Sequence, residues 1–137
     1  MKKTLFALLS GLVLLTSFCN FNSKDRKDPR EVAYNFSVAL NNLDYEEAKK
    51  YGTAETVKLL EMLSSFSSIM PDSVKELSKN RKVEIRGIEE KGDKCTVMVS
   101  SGSGEPEKVD LIKQNGEWLV YVSKDEKARG AEEMVEE

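Results

Sequence analysis

The chain has 137 residues, 21 of them Lys or Arg and 24 Asp or Glu, with a formal net charge of −3. This acidic balance argues against nucleic acid as a partner, because nucleic-acid binding depends on basic side chains that neutralise phosphates. Histidine is absent, which excludes Ser-His-Asp and Cys-His catalysis, His-ligated zinc and an imidazole acid or base. We therefore expect no catalytic residues, no metal site and no cofactor.

Residues 1–18 have the pattern of an export signal. A short basic start at Lys2 and Lys3 precedes an apolar run over residues 5–18. A bilayer-spanning helix needs about 20 residues, so this run is too short to span and fits the apolar region of a signal peptide. A buried N-terminal helix is the alternative, but the two lysines and the polar change at Asn20 favour export.

Cys19 is the candidate lipidation site. Residues 15–19, LTSFC, resemble the lipobox of bacterial lipoproteins, in which a peptidase cuts before a cysteine that then receives acyl chains. Phe18 stands where that family usually has a small residue, and an ordinary signal peptidase could instead cut after Cys19. Lipidation predicts anchoring to a membrane of the bacterial cell envelope, and the alternative is a secreted or periplasmic soluble protein. Residues 19–27 are polar and predict a tether.

The second cysteine, Cys95, lies in an alternating run that predicts a strand. We expect it to be a small buried apolar residue. A reactive thiol is one alternative, although no neighbouring motif would lower its pKa. A disulfide between Cys19 and Cys95 is the other, and it requires Cys19 to keep a free thiol.

The first predicted helix begins at Asp28, which can cap it, with Pro29 at the first helical position and Glu31 completing a capping box. Asn41 and Asn42 end it. Its apolar residues recur at helical spacing and form one face, with Val32, Phe36, Ala39 and Leu40.

Two further helices follow. Asp44 caps a short one that Gly52 is expected to stop. Thr53 caps a longer one that ends before Pro71, and residues 72–80 predict another short helical turn. The spacing predicts an inward face on the longer helix that consists of Val57, Leu60, Leu63 and Phe66.

From residue 83 the pattern alternates and predicts four antiparallel strands. A bulge at Gly87 would return Ile88 to the face of the preceding apolar residues. Asn115–Gly116 is the strongest hairpin signal. A two-residue turn here pairs Gln114 with Glu117, Leu111 with Val120 and Val109 with Val122. The last strand is then predicted to run from Trp118 to Val122.

Two sets of residues are candidate sites. If the helices pack across one sheet face, Phe36, Phe66 and Trp118 converge there, as a ligand pocket or as plain core. On the other face the hairpin brings Ile112, Leu119 and Tyr121 together. This second group is a candidate homodimer or partner face, and scattered exposed apolar residues are the alternative.

Residues 28–56, from DPREVAYNF to YGTAET, resemble the opening of small bacterial lipoproteins with a nuclear transport factor 2-like (cystatin-like) domain of unknown function. VDLIKQNGEWLVY, residues 109–121, resembles their closing hairpin. The resemblance implies an α+β fold in which N-terminal helices pack on a curved antiparallel four-stranded sheet to form a cone. We expect the domain to span residues 28–123, and the charged, acidic composition of residues 124–137 predicts a mobile tail. Catalytic relatives commonly use Asp and His in the cone, so the missing histidine leaves no catalytic residue to carry over.

Together these observations predict an exported, lipid-anchored, non-catalytic binding module of the bacterial cell envelope, with an unidentified small ligand or protein partner. The alternative is a structural or assembly protein that acts through dimer or partner contacts on the outer sheet face.

Overall fold

The computed structural model describes residues 26–122. The predicted signal peptide at 1–18, the lipidation site Cys19 with most of the tether, and the tail at 124–137 lie outside this range. Four helices precede four strands: α1 Pro29–Asn41, α2 Tyr45–Lys49, α3 Ala54–Ile69, α4 Asp72–Ser78, β1 Val83–Lys91, β2 Lys94–Ser101, β3 Glu107–Gln114 and β4 Glu117–Val120. Within residues 26–122, none of the helices has the length and apolar character needed to cross a membrane.

The three predicted helix caps are confirmed. The Asp28 carboxylate accepts a hydrogen bond from the Arg30 amide at 2.9 Å, and the Asp44 carboxylate accepts one from the Glu47 amide at 3.0 Å. The Thr53 hydroxyl accepts one from the amide of Thr56. Each bond satisfies an amide that has no partner inside its own helix. Local chemistry therefore fixes where α1, α2 and α3 begin.

The strands form one antiparallel sheet in the order β1-β2-β3-β4. Asn115 and Gly116 both have positive φ, at 52° and 77°, as the tight turn between β3 and β4 requires. The predicted pairs Gln114–Glu117 and Leu111–Val120 are confirmed. The predicted extension of β4 to Val122 is wrong, since β4 ends at Val120 and only the Tyr121 amide continues the ladder, at 2.7 Å from the Asp110 carbonyl.

The predicted bulge in β1 is confirmed. The register with β2 shifts between Ile85 and Gly87, so that Ile85 pairs with Val99 and Ile88 pairs with Val97. The extra residue places Ile85 and Ile88 on one face and bends the strand.

The core lies between α1 and the inward sheet face. Val32, Ala33 and Phe36 of α1 are buried against alternating residues of β2, β3 and β4. The largest fully buried side chain is Trp118, which is 2% exposed. Helix α1 contacts all four strands. It is the element that covers the sheet.

A second connection joins the segment before α3 to the free edge of β4. The Val120 amide donates to the Tyr51 carbonyl at 2.7 Å, and the Thr53 amide donates to the Val120 carbonyl at 2.9 Å. The buried Thr56 hydroxyl donates to the same Val120 carbonyl at 2.8 Å. We call Tyr51–Thr53, Thr56 and Val120 the Val120 junction. It holds the beginning of α3 against the sheet.

Gly52 has a different role from the predicted one. Helix α2 already ends at Lys49 with Lys50 as its C-cap, so Gly52 is not the residue that stops it. A Cβ atom on Gly52 would lie 2.8 Å from Cγ2 of Thr56 and 2.9 Å from its Cβ. The glycine is needed because the chain passes this close to α3 at the Val120 junction.

The predicted inward face of α3 is confirmed at Leu60, which is 1% exposed, and Val57 is partly buried. It is wrong at Leu63 and Phe66, which are 38% and 59% exposed. Thr56, which apolar spacing could not indicate, is fully buried and donates to the Val120 carbonyl. The buried residues of α3 lie in its first half, and the two exposed ones lie further along the helix, beyond the Val120 junction.

Trp118→Ala should lower the free energy of unfolding by about 3–5 kcal/mol, because it removes a large side chain from the core. Urea titration followed by circular dichroism measures the loss. Tyr34→Ala is the control, since Tyr34 is 43% exposed and its loss should stay near about 0.5 kcal/mol. Equal losses would mean that the indole is not a core residue.

Gly52→Ala should destabilise the fold by about 1–3 kcal/mol, because the added methyl group meets Thr56 at the Val120 junction. Gly104→Ala is the matched control: its Cβ would meet only the Ser101 carbonyl, at 3.7 Å, and should leave stability unchanged or slightly higher. Thermal unfolding of the two variants compares them. A Gly52→Ala protein as stable as the control would contradict the close approach.

Candidate functional site

The three aromatic residues predicted to converge do not do so. Phe36 and Trp118 belong to the buried core, at 6% and 2% exposure. Phe66 is 59% exposed on the second half of α3 and lies outside the core. Phe66 lies in the second half of α3, beyond Thr56 and Leu60, which are the buried residues of this helix.

A cavity of about 210 Å³ lies elsewhere, between the C-terminal half of α1 and the ends of β2, β3 and β4. Phe36 lines it, and Trp118 and Phe66 do not. Its other lining residues are Ser37, Leu40, Asn41, Val99, Ser101, Glu107, Lys108, Val109, Asp110, Val120, Tyr121 and Val122. We call this space the α1 cavity.

Small polar residues of α1 shape the α1 cavity. Ser37 is 8% exposed on the covered side of α1, where its short side chain occupies little of the space above the sheet. Asn41, at the end of α1, donates from Nδ2 to the Ser101 hydroxyl at 3.3 Å. This bond ties the end of α1 to the end of β2 and closes one side of the cavity.

Sequence reasoning missed Ser37, Asn41 and Ser101. One signal was present for Ser37, which follows Ala33 by four residues and Phe36 by one, and therefore lies on the covered side of α1. No comparable signal pointed to Asn41 or Ser101. Their contact depends on how α1 is placed over the sheet.

The lining of the α1 cavity mixes apolar and charged groups. Phe36, Val99 and Val109 supply apolar contact surface, and Glu107, on the same strand face as Val109, supplies a carboxylate. Asp110, which also lines the cavity, accepts a hydrogen bond at 2.5 Å from the Thr96 hydroxyl of the neighbouring strand. The arrangement can hold a small molecule by apolar contact and orient it by a few polar groups.

Two carboxyl groups of β1, Glu84 and Glu89, have a lowered pKa. The hydrogen bond from Lys82 and then the charge of Arg86 hold the pKa of Glu84 below its ordinary value, and Lys91 does the same for Glu89. A general acid at neutral pH needs a raised carboxyl pKa, so these are surface ion pairs. Between residues 26 and 122, no group of three or more Cys, Asp or Glu residues is placed to hold a metal ion.

The candidate partner face is assembled as the hairpin pairing predicts. Ile112 pairs with Leu119 across β3 and β4, and the Tyr121 amide bonds to the Asp110 carbonyl. Ile112, Leu119 and Tyr121 are each partly buried. They lie on the sheet face opposite to Leu111, Trp118 and Val120, which face the core. Their role as a contact surface stays a prediction.

Cys95 is buried, as predicted, at 3% exposure. Burial raises the pKa of its thiol from an ordinary 9.0 to about 11, and the charges of Glu90 and Asp110 add to this shift. Since the thiolate is the reactive form, the folded protein keeps this cysteine unreactive at neutral pH.

The raised thiol pKa of Cys95 predicts a pH dependence of stability. Below pH 9 the thiol is protonated in both states and its stabilising contribution is fully present. Between pH 9 and about 11 the unfolded thiol ionises while the folded one keeps its proton, so stability falls as pH rises. Urea midpoints measured across this range should fall more steeply in the natural chain than in Cys95→Ala. Parallel curves would contradict the burial of the thiol.

Comparison with known proteins identifies the fold. No protein-family model matches the chain, and no curated protein matches it. A crystal structure of a Campylobacter jejuni protein, named as a candidate NTF2-like (nuclear transport factor 2-like) transpeptidase, superposes with a TM-score of 0.54. The match covers 70% of this chain and 99% of that one, at 17% sequence identity. At this identity the likeness concerns the fold alone. The chain therefore has the NTF2-like α+β fold, with helices packed on a curved antiparallel four-stranded sheet.

Proposed function

We propose that the chain is an exported, non-catalytic binding module of the bacterial cell envelope, anchored through acyl chains on Cys19, and that it holds a small ligand in the α1 cavity. The observation that carries the proposal is the cavity itself, between α1 and the ends of three strands. It is a concave site whose lining is about equally polar and apolar, so it can contact both the apolar and the polar groups of a small molecule.

The volume of the cavity limits the size of the ligand that it can hold. At about 210 Å³ it is smaller than the usual pockets of about 300–1,000 Å³ that take drug-sized molecules. It suits a ligand of few heavy atoms, or one group of a larger molecule whose remainder stays in solvent. Glu107, on the covered face of β3, supplies a partner for a cationic group of the ligand.

Sequence chemistry supports a binding role over transpeptidation. Transpeptidases of the penicillin-binding class use a Ser-x-x-Lys motif, and no serine of this chain has a lysine three residues later. Cysteine-based acyl transfer commonly uses a histidine base, and the chain has no histidine. The sequence therefore contains neither the Ser-x-x-Lys motif nor the histidine base of these two kinds of acyl transfer.

The envelope location rests on the leader and on Cys19, through the lipobox-like residues 15–19. With the two leader lysines removed, the remaining chain has a net charge of −5. This charge gives no electrostatic attraction to anionic lipid, so attachment to the membrane depends on the acyl chains.

Ser37→Leu tests the α1 cavity, because the larger side chain fills space that the ligand would occupy. The full chain is produced with its own leader in a bacterial host, and the processed protein is analysed by native mass spectrometry. We expect a reproducible extra mass of a bound small molecule in the natural protein, and its loss in Ser37→Leu. Ser68→Leu is the matched control, since Ser68 is exposed on α3, and it should keep the extra mass.

Two results would contradict the ligand hypothesis. One is a natural protein that carries no extra mass, even after incubation with an extract of bacterial small molecules. The other is an extra mass that persists in a folded Ser37→Leu variant, because the ligand would then bind elsewhere.

The second candidate function is a structural or assembly role through the outer sheet face. The observation in its favour is the pairing of Ile112 with Leu119 on the outer sheet face, with Tyr121 one residue beyond the end of β4. Leu119→Asp should then abolish capture of an envelope partner in crosslinking of whole cells, while Ser68→Asp, at an exposed position of α3, should not. Equal capture by both variants would remove this alternative.

A further inference from the structure

One buried hydroxyl group of the α1 cavity has no hydrogen-bond partner in the described chain. Four polar residues are buried within residues 26–122: Ser37, Thr53, Thr56 and Ser100. Three of their hydroxyls have partners, whereas the Ser37 hydroxyl bonds to no other group of residues 26–122. Since every fully enclosed polar side-chain atom in this range has a partner, the Ser37 oxygen is reached from the cavity that it lines.

Asn41 provides a second polar atom one helical turn after Ser37. Residues four positions apart lie on the same side of a helix, and both of these line the α1 cavity. The Asn41 Nδ2 group donates to the Ser101 hydroxyl at 3.3 Å, and Oδ1 has no donor among residues 26–122. The C-terminal half of α1 therefore offers two oxygen atoms to a ligand, the Ser37 hydroxyl and Asn41 Oδ1.

The charge on the cavity side of β3 is negative. Glu107 pairs with Val99 and shares the covered face of the strand with Val109. Its carboxylate makes no ion pair with any group of residues 26–122. The other acidic residue of the lining, Asp110, lies on the outer face, where it accepts the hydrogen bond of Thr96. Glu107 is therefore the carboxylate that a ligand in the cavity can contact.

The basic residue of the lining, Lys108, lies on the outer sheet face. It alternates with Glu107 and Val109 along β3. Its charge acts on Glu89, whose pKa is lowered first by the hydrogen bond from Lys91 and then also by Lys108. None of the lining residues therefore presents a Lys or Arg side chain on the cavity side.

The end of α1 adds to the negative potential of the cavity. The C-terminus of a helix is the negative end of its dipole and stabilises cations. The last turn of α1 carries no basic residue that would neutralise this end. A cationic group thus finds favourable electrostatics at the α1 cavity, whereas an anionic group finds no partner on that side of the sheet.

We propose that the α1 cavity binds a small molecule with a primary ammonium group on a short apolar chain, an inference that rests on the proposed function. An ammonium group has three N–H donors and no acceptor. The cavity offers three oxygen acceptors to match them, from Ser37, Asn41 and Glu107. Phe36 and Val109 supply apolar surface for the attached chain. The bound ammonium gives the buried Ser37 hydroxyl the hydrogen bond that the protein does not supply.

The ammonium group can belong to a free amine or to the end of a larger molecule. A cavity of about 210 Å³ encloses the amine and a few carbon atoms in either case. The molecule released from the purified natural protein should react with fluorescamine, which labels primary amines. Its mass then distinguishes the two sources.

Three probes of nearly equal size test the preference for a cation: butylammonium, 1-butanol and butyrate. Each is titrated into the purified full chain at constant ionic strength, and amide shifts of cavity residues such as Ser101 are followed by nuclear magnetic resonance. We expect butylammonium to bind about tenfold more tightly than 1-butanol, as for a hydrogen bond to a charged group. Butyrate should bind most weakly of the three.

Glu107→Gln should lower the affinity for butylammonium by about tenfold, because it removes the charge and keeps the shape of the side chain. Ser37→Ala should lower it by about threefold or more, since one neutral hydrogen bond is lost. Glu105→Gln is the matched control: it removes the same charge two residues away, at an exposed position outside the lining, and should keep the natural affinity. Circular dichroism checks that the variants are folded.

Three results would overturn the inference. Equal affinity for the three probes at the cavity amides, or no shift of those amides with any probe, would show that the cavity does not prefer a cation. Equal butylammonium affinity in Glu107→Gln and Glu105→Gln would place the cation elsewhere. A released molecule without a primary amine would contradict the ligand class and leave the proposed function standing, because that function is decided separately by the extra mass in native mass spectrometry.

Discussion

The hydrogen bonds around Val120 are the constraint on which the rest of the structure depends. The backbone of β4 would end the sheet with an open edge, and open edges are prone to pair with other chains. Here Tyr51 and Thr53 bond to Val120 along that edge, at 2.7 and 2.9 Å. The third bond, from the Thr56 hydroxyl, fixes the rotation of α3. One residue of the last strand therefore determines how a helix more than sixty residues earlier is oriented.

The position of the α1 cavity follows from this constraint and from the placement of α1. The Val120 junction covers the edge of β4, and the bond between Asn41 and Ser101 holds the end of α1 at the far end of β2. The α1 cavity lies between these two connections. The same junction holds the first half of α3, in which Thr56 and Leu60 are buried.

Local chemistry made much of the fold predictable. Asp28, Asp44 and Thr53 are capping residues that act within three residues of their own position, and the hairpin at Asn115–Gly116 sets its own register. The bulge at Gly87 could be inferred because Ile88 is out of phase with Ile85. Each of these features depends on neighbours along the chain, which a single sequence displays.

The candidate site was much less predictable, since it depends on contacts between distant residues. Apolar spacing placed Phe66 inside, but the buried residues of α3 are Thr56 and Leu60 in its first half, and Phe66 lies further along the helix and is exposed. The contact between Asn41 and Ser101 spans 60 positions and has no local signature. Phe36 was the one predicted pocket residue that lines the α1 cavity. The prediction that Cys19 carries a lipid concerns a residue outside the described range.

Amide hydrogen exchange of the natural chain tests the central claim most directly, because it reports whether the junction opens separately from the rest of the fold. We expect the amides of Thr53 and Val120 to exchange as slowly as the core amide of Leu111. All three should exchange only when the whole domain unfolds. If those two amides instead exchange as rapidly as the turn at Asn115, while Leu111 stays protected, α3 is not held by β4. The orientation of α3 would then need another explanation.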